Sequence, residues 1–220
     1  ILKGDDITQK KFVNPYLFID TLSGVLKKED VIIADDGAHL TWSVQSFKIK
    51  FGQRFISAWG NSPMGYAFPA AIGASVALNG KKIICLDGDG SIQMNLQELH
   101  TLKKLNLPIK IFIMNNNGYG IIKQFQEIYL GSRYEATIDK KGVSNPDFEK
   151  IAKAFNINYI RIKNHKNLKA KLKKIINNKK PFFVDVMINP NQKIVPKLEF
   201  GRPIEDLSPL LKDEMFKKNM

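Results

Sequence analysis

Lys82-Ile83-Ile84-Cys85-Leu86-Asp87-Gly88-Asp89-Gly90-Ser91 is the stretch that decides how this chain folds. An apolar run breaks at a cluster of aspartate and glycine, the pattern of a buried strand ending in a loop. The same pattern recurs where Ile109-Lys110-Ile111-Phe112-Ile113 gives way to Met114-Asn115-Asn116-Asn117-Gly118-Tyr119-Gly120. In an open α/β sheet, ligands bind at the carboxyl ends of the strands. The two loops offer one carboxylate, Asp89, together with the Asn116 amide oxygen and several glycines. Gly88 and Gly90 admit close approach of the backbone. Magnesium takes oxygen ligands and usually only one or two protein carboxylates, with phosphate oxygens and water completing the shell. Ser91 opens a helix whose N-terminus favours a phosphate. The pair of loops is therefore suited to hold a divalent metal on a diphosphate.

Working outward, Val31 to Ala34 reads as a buried strand that ends at Asp35-Asp36-Gly37, with a helix from near His39. A short strand follows around Arg54 to Ser57, then the loop Trp59-Gly60-Asn61-Ser62-Pro63. Gly65 to Leu78 is rich in small residues and suits a closely packed helix, with Pro69 near its first turn. Leu96, Leu99 and Leu102 have helical spacing within Asn95 to Leu105. Ile121 to Tyr129 is also read as helical. Asn145-Pro146-Asp147 predicts a helix through Phe155, capped by Asn145 and with Pro146 at the first position. Asn158 to Ile162 and Phe182 to Met187 read as strands around a helix from Leu168 to Asn177. Strands alternating with helices predict an α/β fold, a doubly wound and mainly parallel sheet with helices on both faces. This domain is expected over residues 1–190, with residues 191–220 as a tail wrapped over the surface.

The chain has 220 residues, enough for one sizeable core, and a single cysteine, Cys85, inside an apolar run. No intrachain disulfide can form, which fits a reducing, cytoplasmic setting. No stretch nears the ~20 apolar residues that span a bilayer, so no membrane partner is expected. The net charge is +13, much of it in lysines between Lys163 and Lys180. Leu168, Leu172, Ile175 and Ile176 lie on one helical face, so these lysines read as the solvated side rather than a nucleic-acid surface. A dinucleotide fingerprint is incomplete here, because Gly88-x-Gly90 lacks its third glycine. There is no Walker A loop and no Cys/His cluster for zinc.

On these motifs the chain resembles the thiamin-diphosphate (ThDP) enzymes, in which GDG is followed by NN after about 25 to 30 residues. The resemblance is closest to the acetolactate (acetohydroxyacid) synthase large subunits. It is carried by Gly88 to Leu99, Asn115 to Gly120, Met64 to Ala74 and the Gly37-Ala38-His39 segment, and it covers about residues 15 to 190. It implies the ThDP-binding fold. It also implies that Asp89, the Asn116 side chain and the Gly118 carbonyl bind Mg²⁺. Gly37, Ala38 and His39 would line the diphosphate, with Gly88, Gly90 and Ser91 on its other side and Tyr119 and Gly120 nearby. Met64 would wedge between the two rings of ThDP. The Ser62 carbonyl would meet the aminopyrimidine, at a position where the family usually has glycine. Phe125 would lie in the substrate pocket, where the synthases commonly carry tryptophan.

The chemistry implied is cofactor-borne covalent catalysis. A 2-oxo acid, pyruvate in the synthases, loses carbon dioxide, and the two-carbon unit passes to a second carbonyl compound. The activating glutamate of these enzymes belongs to a separate pyrimidine-binding domain, so no catalytic residue is expected in this chain. The resemblance thus implies the C-terminal part of a longer enzyme, working as a dimer or tetramer through that other domain, with FAD possible in the full-length protein. Branched-chain amino-acid biosynthesis is the pathway of the synthases. The segment Gly201-Arg202-Pro203-Ile204-Glu205 looks more like synthase-like enzymes of surface-sugar pathways, where the acceptor would be a keto-sugar nucleotide. A two-subunit decarboxylase and a non-catalytic ThDP-binding module are the other readings.

Overall fold

A computed structural model describes residues 11–210 and 212–219. Residues 1–10 of the expected domain, and residues 211 and 220 of the expected tail, lie outside the described residues. Six strands form one sheet: β1 (Val31–Ala34), β2 (Arg54–Ile56), β3 (Ile83–Gly88), β4 (Lys110–Asn115), β5 (Asn158–Ile162) and β6 (Phe182–Met187). Their spatial order is β2-β1-β3-β4-β6-β5, and every pairing is parallel. β1, β3 and β4 are buried along their whole length. That is why they read as continuous apolar runs and not as alternating ones.

The helices are α1 (Pro15–Val25), α2 (Ala38–Ser46), α3 (Ala67–Ala77), α4 (Glu98–Leu105), α5 (Gly120–Tyr129), α6 (Phe148–Ala154), α7 (Leu168–Asn177) and α8 (Asp213–Asn219). Alternate strand residues feed two cores. Ile32, Ala34, Ile84, Leu86 and Phe112 pack with Phe18 and Leu22 of α1, Trp42 of α2 and Leu172 of α7. Val31, Ile33, Cys85, Ile111 and Ile113 pack with Phe68 of α3, Leu102 of α4 and Phe148 of α6. The doubly wound α/β reading holds, with helices on both faces. On α7 the apolar face Leu168, Leu172, Ile175 and Ile176 is buried, and Lys169, Lys173 and Lys174 face outward. No helix among the described residues is long and apolar enough to cross a membrane.

Two local expectations change, and α1 is a helix that the sequence did not announce. α1 carries no strong sequence signal beyond Asn14, whose side chain accepts from Leu17 N, and Pro15 at the helix start. It is held by burial: Phe18, Ile19 and Leu22 are fully enclosed. The helix expected from Asn95 begins at Glu98, after a separate 3₁₀ turn over Ser91–Asn95. The cap of α6 is Asp147, whose side chain accepts from Glu149 N and Lys150 N, and not Asn145. The Asn145 side chain is taken by Asp89 instead. Past β6 the chain stays on the domain. Ile194 is buried, its amide donates to Gln124 Oε1 at 2.7 Å, and the amide of Val195 donates to the Tyr16 hydroxyl at 2.7 Å.

The chain leaves β1 toward β2 on one side, and β3 leads to β4 on the other. The direction of winding therefore reverses between β1 and β3, and a crevice opens outside their carboxyl ends at such a reversal.

Candidate active site

A cavity of about 100 Å³ fills that crevice. Its walls come from three strand ends. After β1 come Asp36, Gly37, Ala38 and His39; after β3, Gly88, Asp89, Gly90 and Ser91; after β4, Asn116, Gly118, Tyr119 and Gly120. Met64 closes one side. The structure thus brings together nearly all the residues expected at the site. Pockets that enclose a whole small molecule measure about 300–1,000 Å³, so this cavity accepts one end of a ligand. The first turns of α2 and α5 open beside it, and helix N-termini favour anions.

Asp89 is 2% exposed. Its Oδ2 accepts from Gly118 N at 2.9 Å and from Asn145 Nδ2 at 2.6 Å. Its Oδ1 faces the Asn116 side chain. The Asn116 amide oxygen lies 3.2 Å from that Oδ1 and 2.7 Å from the Gly118 carbonyl oxygen. Three oxygen acceptors crowded together repel one another unless a proton or a cation lies among them. Adjacent oxygens around an octahedral Mg²⁺, at 2.0–2.1 Å from the ion, are roughly 2.9 Å apart. The donor set and its spacing therefore fit a hard divalent cation. With its amide turned over, Asn116 donates to both neighbours, which is how the cluster is satisfied without the ion. Gly118 has φ +154, and a Cβ there would strike the Thr137 carbonyl, so only glycine lets this carbonyl sit beside Asp89. Burial pushes the Asp89 carboxyl up to about 6, against the pull of hydrogen bonds from Asn145 and Gly118.

His39 is 4% exposed, with its ring in contact with Gly37 and Gly88. A Cβ at Gly37 would come within 2.8 Å of the ring, so the backbone itself grips the imidazole. Nε2 is buried without a hydrogen-bond partner. Burial pulls the imidazole down to about 4, which keeps it neutral at physiological pH. Behind it stand two aspartates that sequence reasoning passed over, since only Asp89 was counted as a carboxylate at the loops. Asp35, Asp87 and His39 present polar atoms within 4.8 Å of one another. Asp35 accepts from Gly65 N at 3.0 Å, from Ala67 N at 2.6 Å and from Asp36 N at 2.9 Å. It thereby ties the first turn of α3, and the Met64 loop before it, to the end of β1. Burial raises the Asp35 carboxyl. Burial, then the nearby Asp35, pushes the Asp87 carboxyl well above the usual carboxylate range. Asp87 Oδ1 accepts from Gly88 N at 2.8 Å and from the Ser91 hydroxyl, while its Oδ2 has no partner. The Ser91 hydroxyl is therefore committed inward, which leaves its backbone to line the cavity. The motif Asp-Gly-Asp-Gly carried a signal for the buried Asp87; which aspartate faced inward depended on the strand's end.

Two expected residues lie elsewhere. Ser62 is exposed, in a left-handed conformation (φ +43), with its hydroxyl donating to the Trp59 carbonyl at 3.3 Å, and it does not line the cavity. The positive φ gives a physical reason for glycine at this place. Phe125 lines a neighbouring apolar groove of about 370 Å³ with Tyr129, Leu198 and Phe200. Its ring centroid is 4.9 Å from that of Tyr129 and 6.0 Å from that of Phe200. The tail thus builds one wall of this groove.

The family model "Thiamine pyrophosphate enzyme, C-terminal TPP binding domain" matches residues 35–186, which span the cavity from Asp35 through β6. This chain belongs to that family. Among relatives, the acetolactate synthase large subunit of Cyanidium caldarium is 36% identical over 192 residues, 87% of this chain and 32% of the relative. That of Porphyra purpurea is 37% identical over 177 residues, 80% of this chain and 30% of the relative. Acetolactate synthase 1, chloroplastic, of Zea mays is 32% identical over 204 residues, 91% of this chain and 32% of the relative. The chain thus spans about a third of the length of the curated relatives it matches. A thiamine pyrophosphate-binding domain of acetolactate-synthase type accounts for a cavity that takes only one end of its ligand.

Proposed function

We propose that this chain is the diphosphate- and Mg²⁺-binding part of an acetolactate-synthase-like carboligase. It would act in decarboxylation of a 2-oxo acid, pyruvate by analogy with the relatives, and transfer of the two-carbon unit to a carbonyl acceptor. The observation that carries the reading is the convergence of Asp89 Oδ1, the Asn116 side-chain amide and the Gly118 carbonyl oxygen beside two helix N-termini. Asp89, Asn116 and Gly118 would hold the metal. Gly37, Ala38, His39, Gly90 and Ser91 would surround the diphosphate, with Tyr119 and Gly120 at the start of α5.

ThDP, when bound, supplies the nucleophilic carbon and the electron sink that decarboxylation of a 2-oxo acid needs. The residues of this chain do the remaining work. Neutral His39 brings no positive charge to the cavity wall, and its buried Nε2 has no hydrogen-bond partner among the described residues. Met64, 41% exposed at the cavity mouth, presents a flexible apolar side chain to whatever continues out of the cavity. Asp35 fixes that loop through the Gly65 and Ala67 amides. Ile121 and Ile122 line the cavity as well and keep water from its apolar wall. Among the described residues no group lining the cavity is placed to activate the cofactor, so the activating acid is assigned to another domain, with dimerisation completing the site. A cytoplasmic location belongs to the same proposal, which leaves room for FAD elsewhere in the full-length protein. The groove of Phe125, Tyr129 and Phe200 beside the cavity favours an acceptor with an apolar or planar part, which keeps the keto-sugar nucleotide reading as the alternative.

Titration calorimetry of the full-length protein with ThDP and Mg²⁺ tests the site. The expected result is ThDP binding that requires the metal; metal-independent binding of equal strength would defeat the assignment. Product analysis with pyruvate and candidate acceptors then tests the reaction, and absence of carbon dioxide release from any 2-oxo acid would reduce the chain to a binding module.

A further inference from the structure

A carboxylate can offer a metal either oxygen, and at this site something selects Oδ1. Asp89 Oδ2 is occupied twice, by Gly118 N and by Asn145 Nδ2. Asn145 is in turn held, because its Oδ1 accepts from Gln93 Nε2 at 3.0 Å. Gln93 Nε2 also donates to the Asp89 backbone carbonyl at 2.9 Å. The three residues close a ring: Asp89 side chain, Asn145 amide, Gln93 amide, Asp89 backbone. Both torsions of the Asp89 side chain are fixed by it. Asn145 reaches the site from the segment before α6 and has no capping duty there, since Asp147 caps that helix. Its Nδ2 also donates to Oδ1 of Asn117, in the metal loop, at 3.4 Å.

We propose that Asn145, held by Gln93, is a positioning residue that turns the Asp89 carboxylate so that Oδ1 faces the cation. This rests on the reading that Asp89 is a metal ligand. Outer-shell partners of ligating carboxylates commonly set metal affinity by about 10–100-fold. Mg²⁺ demands near-ideal octahedral geometry, whereas Ca²⁺ accepts flexible arrangements. A loosened Asp89 therefore costs Mg²⁺ more than Ca²⁺, which a general weakening of the fold would not do.

The test measures Mg²⁺ and Ca²⁺ affinity of the full-length protein at saturating ThDP, for wild type, Asn145→Ala, Asn145→Asp and Gln93→Ala. Melting of the metal-free proteins is followed alongside. Asn145→Ala is expected to weaken Mg²⁺ by about 10–100-fold, with a smaller loss for Ca²⁺ and an unchanged melting temperature. Asn145→Asp, close to isosteric, should lose at least as much, because it sets an acceptor against Oδ2. Gln93→Ala should follow in the same direction with a smaller loss. Affinities for both ions within twofold of wild type, or equal losses for the two ions, would overturn the positioning role alone. A fall in melting temperature in both Asn145 variants would assign the residue to the fold and overturn it too. Wild-type protein that takes up no divalent cation with ThDP would overturn the functional reading beneath it.

Discussion

Two buried aspartates on the central sheet are treated in opposite ways. Asp185 on β6 is fully buried and fully supplied. Its Oδ1 accepts from Asn115 Nδ2 at 2.9 Å, and its Oδ2 accepts from the Tyr159 hydroxyl at 2.9 Å and Arg161 Nε at 2.8 Å. Asp87 at the end of β3 is equally buried, but it faces Asp35 and leaves one oxygen without a partner, close to an unpartnered His39 nitrogen. Buried polar groups in folded proteins are nearly always satisfied. The first carboxylate is what stability asks for. The second group is what a site looks like when stability has been spent on pre-organisation. The satisfied network also serves the unsatisfied one: Asn115 Oδ1 accepts from Asn117 N, so Asp185 steadies the loop that carries Asn116 and Gly118.

This contrast can be broken or sharpened by mutation. The largest effect is expected for Asp89→Ala. It should weaken ThDP·Mg²⁺ binding by more than the roughly 100-fold upper range of an outer-shell change, while the metal-free protein melts no lower than wild type. Calorimetry and melting together decide this, and binding left intact would remove Asp89 from the site. Asp185→Ala should show the reverse balance. It strands Arg161, Tyr159 and Asn115 and should cost about 3 kcal/mol of stability in denaturant unfolding, with cofactor affinity falling only through the loosened Asn115–Asn117 contact. Equal stability in the variant would mean that the network is solvated and not structural. Asp87→Asn keeps the acceptor for Gly88 N and Ser91 and removes an ionisable carboxyl facing Asp35. It should stabilise the metal-free protein by about 1 kcal/mol, or roughly 2–4 °C for a chain of this size, while weakening ThDP binding. A destabilised variant would show that the Asp87 carboxyl is matched to its surroundings. The smallest effect is expected for Ser62→Gly, which relieves the left-handed strain and should raise stability by a few tenths of a kcal/mol to about 1 kcal/mol, with little change in cofactor affinity.

The legible part of this protein was the part encoded by short-range patterns. Continuous apolar runs at Lys82 to Leu86 and Ile109 to Ile113 announced parallel strands buried on both faces. The clusters after them announced loops at the carboxyl edge. Asp89 and Asn116 were read from those clusters and Gly118 from the family resemblance, and all three line the cavity. α1 was not legible, because its helix is held by tertiary burial of Phe18, Ile19 and Leu22. Asn145 was misread as a helix cap, since a cap and a distant carboxylate compete for the same amide and local sequence shows only the first. The groove of Phe125 owes one wall to Leu198 and Phe200, more than seventy positions along the chain.

The sequence by itself determined the doubly wound sheet, through apolar runs and the turn glycines that end them, and the cofactor family, through the resemblance of its motifs to the ThDP enzymes. Only the tertiary structure decided which acid keeps an unpartnered oxygen behind His39 and which residue aims Asp89. These depend on side chains from β1, β3 and the segment before α6 meeting where the winding reverses. Hydrogen bonds between such distant positions leave no periodic trace in the chain.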